Sequence, residues 1–185
     1  MIEKSNVINL KTQSIDTKYC IFELETTGLD VNKDKIIEIG AVKIKNGEIV
    51  DTFSEYVNPK VQISKVVSKI NKITDETVKN AKTIEELLPI FLKFIDDSIL
   101  VSHGEDYDFK FLIYNCEKLG FKCENKHIDS LKLAREKFPK FKFYSLKRLA
   151  TKFNIDISEN NRAVDNAKVL ALVFNKLLSK LEGEL

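Results

Sequence analysis

The sequence predicts an α/β domain of three layers, with helices on both sides of a mixed β-sheet. Three observations point there. An apolar run followed by a hairpin signal opens the structured part of the chain, so the sheet begins as an antiparallel meander. Short apolar runs then alternate with helical patterns, as strands joined by crossover helices do. At 185 residues the chain is long enough for one domain with a substantial core.

Tyr19 to Glu25 reads as the first strand, ended by Thr26-Thr27-Gly28. Ile36 to Lys45 reads as the second, with an imperfect apolar–polar alternation. Asn46-Gly47 is a strong two-residue hairpin signal, and Glu48 to Val57 returns as the third strand until Asn58-Pro59 stops it. Val61 to Asn80 is less regular and is expected to hold short helical turns. Thr83-Ile84-Glu85-Glu86 has the form of a capping box and starts a helix with Leu87, Leu88, Phe91 and Ile95 on one face. Pro89 lies near its first turns and is expected to kink it at most.

Ser98 to Ser102 reads as a short strand, and Asp106 to Leu119 as an amphipathic helix stopped at Gly120. Lys126 to Asp129 is a further short strand, followed by a helix from Ser130 to Lys137. Ser145 caps a helix running to Phe153, and Asn154 to Asn161 is a polar loop. Arg162 to Leu181 is a final helix, with Ala163, Ala167, Leu170, Phe174 and Leu177 at helical spacing. Residues 1–16 are polar and irregular and show no targeting pattern. They are expected to be a flexible lead-in to a single domain over residues 17–185.

Composition narrows the function classes. The chain is 43% apolar and 31% charged, with a net charge of only +2, so no global basic field marks it as a nucleic-acid binder. Any such binding has to come from local patches. Three cysteines, an odd number with no secretion signal ahead of them, point to reduced thiols in the cytoplasm. No apolar run reaches the length of a membrane span, so no membrane partner is expected.

Glu23 and Glu25 carry the chemistry of the first strand. Side chains at i and i+2 of a strand share a face, so these two carboxylates stand side by side, with Phe22 and Leu24 opposite. Like charges at that distance repel, and burying an unpaired carboxylate is costly. A divalent cation makes such a pair tolerable; an edge strand with one wet face would do so as well. Two other places put polar groups where a site can form. One is His103 to Asp108, where a strand turns into a helix. The other is Asn161 to Asn166, at the start of the last helix.

Taken together, these stretches resemble the DnaQ-like exonucleases of the DEDDh group, and within it the proofreading exonuclease domain of PolC-type DNA polymerase III. The resemblance runs from about Lys18 to Leu178. Glu23 to Gly28 is similar to a first motif Asp-x-Glu-Thr-Thr-Gly. His103 to Asp108 is similar to a second, His-Asn-x-x-Phe-Asp, and Asn161 to Asn166 lies over a third, His-x-Ala-x-x-Asp. The resemblance implies a ribonuclease H-like fold in which four carboxylates hold two magnesium or manganese ions, and a histidine of the third motif is the general base. Nucleotides then leave one at a time from a 3′ end. It places the metal positions at Glu23, Glu25, Asp108 and Asn166 and the general-base position at Asn161. Thr26, Thr27, Gly28, Leu29 and His103 fall at substrate-binding positions. A polymerase or other replication-repair partner is implied as well.

The chain departs from that pattern at three of the five catalytic positions. Glu23 stands for an aspartate and moves its carboxylate by roughly 1 Å, against a metal–metal spacing of about 3.5–4 Å. Asn166 keeps an oxygen but no charge. Asp165 is a poor substitute, because adjacent helical residues point about 100° apart. Asn161 has no usable basicity, and loss of a general base alone costs about 10²–10⁴-fold. Three readings follow. The chain is a degenerate exonuclease that still binds 3′ ends, a slow or manganese-dependent active one, or a protein-interaction scaffold. Lys140, Lys142, Lys147 and Lys152, interleaved with Phe141, Phe143 and Tyr144, are either phosphate and stacking contacts or a solvated helix flank over core aromatics.

Overall fold

The computed structural model describes residues 17–104, 106–157 and 162–179. The expected lead-in over residues 1–16 and the Asn161 position lie outside the described residues. Five strands form one sheet in the order β3-β2-β1-β4-β5. Strand β1 (Tyr19–Thr26) runs antiparallel to β2 (Ile36–Lys45), and β2 antiparallel to β3 (Glu48–Tyr56). On the other side β1 pairs in parallel with β4 (Ile99–Ser102), which pairs in parallel with β5 (His127–Asp129). The meander turns at Asn46 and Gly47, both with positive φ (54° and 79°), as the two central residues of a type I′ turn require.

Seven helices are found among the described residues: α1 (Lys65–Asn71), α2 (Asp75–Val78), α3 (Ile84–Ile95), α4 (Tyr107–Lys118), α5 (Ser130–Lys137), α6 (Leu146–Lys152) and α7 (Ala163–Ser179). Helix α3 starts as the sequence predicts, with the Glu86 carboxylate accepting the Thr83 N–H at 2.8 Å, and it continues through Pro89. The short helical turns expected over Val61 to Asn80 are α1 and α2, each N-capped by a hydroxyl, from Ser64 and Thr74.

The alternation of β1 sorts its side chains into two cores. Tyr19 and Ile21 pack with Leu133, Leu149, Leu170 and Phe174 of α5, α6 and α7 on one face. Cys20, Phe22 and Leu24 pack with Leu88, Phe91, Phe111 and Leu112 of α3 and α4 on the other. The three layers expected from the sequence are therefore present. β1 is the middle strand of the sheet, and Glu23 and Glu25 lie on its far stretch, past the residues that pair with β4.

Candidate nuclease site

The site sits where β1 outruns its parallel neighbour. β4 pairs with β1 only from Tyr19 to Ile21, leaving the backbone beyond Phe22 without a strand on that side. The first turn of α4 fills the gap. Asp108 turns its Oδ1 to the Leu24 N–H at 3.1 Å and is buried there. A carboxylate from α4 is thus pinned against the segment that carries Glu23 and Glu25. This is the carboxyl end of the parallel strands, where sites in α/β folds gather.

The electrostatics of these acids are unfavourable as they stand. Burial pushes the Glu23 carboxyl well above the usual range, and Asp108 and Glu25 push it further. Burial, then repulsion from Glu38, raises Glu25 to about 7, while a hydrogen bond from the Asn71 side chain holds it back. Burial also raises Asp108, against the Leu24 N–H, which favours its charged form. Oε1 of Glu23 is buried and has no hydrogen-bond partner. A buried oxygen without a donor, among carboxyls that resist ionisation, fits a hard dication, whose ligands are oxygens. Among the described residues, however, no three His, Cys, Asp or Glu side chains converge as a ready metal cage.

Helix α7 brings in Asn166. A β-carbon on Gly40 would fall 2.0 Å from the Val164 nitrogen, so the first turn of α7 lies directly on β2 at that point. Gly40 is the register partner of Glu23, which sets this turn, with Asn166 on it, over the acidic face of β1. Asp165, beside Asn166, pairs with Lys168 along α7 at 3.3 Å.

The segment after β1 is tightly braced. The Tyr107 hydroxyl donates to the Gly28 carbonyl at 2.6 Å and lies 2.9 Å from the Thr26 hydroxyl. The Thr27 hydroxyl donates to Asp34 at 3.1 Å and accepts the Lys35 N–H at 3.0 Å. Leu29, by contrast, is 84% exposed. An apolar side chain held in water on a braced loop is available to a ligand.

Both histidines of the chain are built into the scaffold. His103 Nε2 donates to the Tyr144 carbonyl at 2.8 Å, and Nδ1 lies 2.9 Å from the Ser130 hydroxyl, which itself donates to the Ser102 carbonyl at 2.8 Å. Burial keeps its pKa below the ordinary value. His127 lies flat on Phe109, with centroids 4.2 Å apart, and its nitrogens meet Ser102 at 2.9 Å and Asp106 at 3.3 Å.

Sequence reasoning missed Glu38. It looked like one polar residue in an alternating strand, yet it is fully buried. Its carboxylate accepts from the Arg162 side chain and from the Ala163 N–H at 3.2 Å, tying the start of α7 to β2. Its place two residues before Gly40 on the same strand face was a usable signal, since the two together make room for a helix end.

Residues 20–174 match the exonuclease family model of RNase T type. This chain belongs to the exonuclease family. Within it, the chain is 43% identical over 169 residues to the PolC-type DNA polymerase III of Caldanaerobacter subterraneus subsp. tengcongensis, covering 91% of this chain and 12% of that one. It is 40% identical over 179 residues to the same polymerase of Clostridium perfringens, covering 97% and 12%. The chain thus spans about an eighth of the length of these relatives. Among solved structures, it resembles the nuclease domain of 3′hExo, a DEDDh family member bound to rAMP (TM-score 0.77, 23% identity, 91% and 95% coverage). It also resembles exonuclease X in complex with 5′ overhanging duplex DNA (TM-score 0.74, 24% identity, 88% and 92% coverage). These likenesses establish the ribonuclease H-like exonuclease fold. No helix among the described residues is long and apolar enough to cross a membrane.

Proposed function

We propose that this DnaQ-like exonuclease domain has lost most of its cutting chemistry and keeps its cleft for the single-stranded 3′ end of a nucleic acid. The observation that carries the reading is the use of the histidines. The chain has two, and the ring nitrogens of both are committed to the scaffold, so neither is free to take a proton from water. The position that the family pattern gives to the base is Asn161, and an amide cannot replace it.

Glu23, Glu25 and Asp108, with the amide oxygen of Asn166, would hold magnesium or manganese. Such an ion would neutralise charge on a phosphodiester and lower the pKa of bound water. The chain's own contribution is placement: the Leu24 N–H fixes Asp108, Asn71 steadies Glu25, and Gly40 lets α7 close over the acids. Three acids instead of four favour one ion over two. Thr26, Thr27, Gly28 and Leu29 would meet the terminal nucleotide, with His103 bracing the wall of the cleft. The PolC-type relatives extend the reading to a cytoplasmic role beside a replication or repair polymerase.

A labelled single strand incubated with magnesium and then manganese tests this. Binding without degradation is the expected result. The triple substitution Glu23→Asp, Asn161→His and Asn166→Asp should restore cleavage. A second reading, a slow exonuclease driven by metal hydroxide, draws on the orphaned Glu23 oxygen. Degradation by the unmodified chain that disappears in Glu25→Ala would establish it and sink the first.

A further inference from the structure

From Glu136 to Asp156 the sequence contains no acid between those two residues, yet it carries Lys140, Lys142, Lys147, Arg148 and Lys152. The chain's net charge of +2 hides this concentration. Structure gathers most of it around one pocket of about 420 Å³, lined by Lys140, Lys142, Arg148 and Lys152 together with Phe141 and Phe143. That volume is in the range of small-ligand sites, ~300–1,000 Å³.

The two phenylalanines behave differently. Phe141 is packed against Phe138 and Phe153, as a core aromatic. Phe143 is 63% exposed, with the Arg148 guanidinium over its ring at 5.4 Å. An apolar ring in water beside a planar cation is a surface on which a flat π-system can stack. The surrounding lysines are exposed, and among the described residues no carboxylate lies within 4 Å of them or of Arg148. Among the described residues, therefore, no carboxylate compensates their charge. Stacking surface plus uncompensated positive charge is the chemistry that recognises a base and its flanking phosphates. The segment is also anchored to the nuclease cleft, because His103 donates to the Tyr144 carbonyl at its centre.

We infer that the Phe143–Arg148 pocket is an accessory site for single-stranded nucleic acid, binding the strand away from its end. The site stands apart from the cleft reading, because it requires no 3′ terminus and no metal.

A fluorescein-labelled circle of 30 thymidines, which has no end, tests it in EDTA, with a uridine circle as the RNA arm. The full chain should bind at least one of them, and the arm bound more tightly names the source. Phe143→Ala should weaken binding roughly 5- to 100-fold, the range of one lost base stack. Lys142→Gln with Arg148→Gln should reduce the slope of log K against log salt by about 1.4, for two phosphate contacts on a single strand. All three side chains are solvent-exposed, and unchanged urea midpoints would show that the variants still fold. No binding of either circle overturns the inference. So does binding that both variants leave unmoved. A lower salt slope with no effect of Phe143→Ala would mark a plain polyanion surface, and overturns it too. The cleft reading fails on a linear strand with metal and this one on a circle in EDTA, so the two failures give different results.

Discussion

The Glu38 carboxylate accepts the Ala163 N–H at 3.2 Å across 125 residues of sequence. It also holds the Arg162 side chain, which lies over the Tyr56 ring at 4.2 Å. One buried acid thereby fixes the end of α7 against the sheet, and with it the turn that carries Asn166. Arg162 is partly exposed, so the main cost of removing Glu38 is the buried Ala163 N–H left without an acceptor, about 1–3 kcal/mol. Glu38→Ala is expected to lower stability to urea by that order. A loss below about 1 kcal/mol would show that α7 does not depend on this tie.

Gly40 is expected to tolerate no side chain. Its β-carbon would stand 2.0 Å from one backbone atom of α7 and 2.2 Å from another, and backbone cannot swing aside as a side-chain end can. Gly40→Ala should cost about 3 kcal/mol or more, at the upper end of core overpacking. Chemical denaturation measures it. A variant as stable as the parent would mean that α7 is seated elsewhere.

Glu25 sets a dependence of stability on pH in the metal-free protein. Its folded pKa of about 7 lies above the ordinary carboxylate value of 4.5, so the folded state holds the proton more tightly. Its contribution is fully present below about pH 4.5 and is lost as pH rises through 7, to a total on the order of 3 kcal/mol. In EDTA, the difference in melting between pH 5 and pH 8 should shrink in Glu25→Gln. Manganese added at pH 8 should stabilise the unmodified chain by neutralising the acids. An unchanged difference in Glu25→Gln would refute the assignment.

His127 acts with the opposite sign. Burial pulls its pKa from 6.5 to about 4, against the attraction of Asp106 and Asp129 and with the repulsion of Lys132. A histidine that is harder to protonate when folded contributes stability above about pH 6.5, and that contribution is lost as pH falls toward 4. The total is about 3 kcal/mol. Phenylalanine keeps the ring on Phe109 but cannot titrate. His127→Phe should therefore lose less stability than the parent between pH 6.5 and 4.5, as followed by circular dichroism. Equal losses would show that other groups carry the acid sensitivity.

Tyr107 braces the loop after β1 through two contacts, to the Gly28 carbonyl and the Thr26 hydroxyl. Tyr107→Phe should cost about 1 kcal/mol, the net worth of a hydrogen bond. It should also speed amide exchange at residues 26–29 more than in the sheet. Uniform exchange changes would argue against a local brace.

Much of the architecture was legible in short stretches of sequence. Asn46-Gly47 dictates its turn by backbone conformation, and Thr83 with Glu86 dictates a helix start by local hydrogen bonds. The alternation in β1 already put Glu23 and Glu25 on one face. Each of these rests on neighbours a few residues away, where propensity and periodicity act. The resemblance that sets Asn161 and Asn166 against the histidine and the final aspartate of the third motif also rests on residue identity, which needs no fold.

Tertiary structure decided who meets whom. Only the sheet order shows β1 to be central, and only packing shows that the first turn of α4, not a strand, meets the stretch that carries its acids. Only the return of α7 turns Glu38 from one more polar residue into the buried anchor of a helix. Only packing shows that both histidines are spent on the scaffold and that Phe143 is not. A partner more than a hundred residues away leaves no periodic trace in sequence. Its contribution comes from burial and desolvation, and these exist only once the chain has closed on itself.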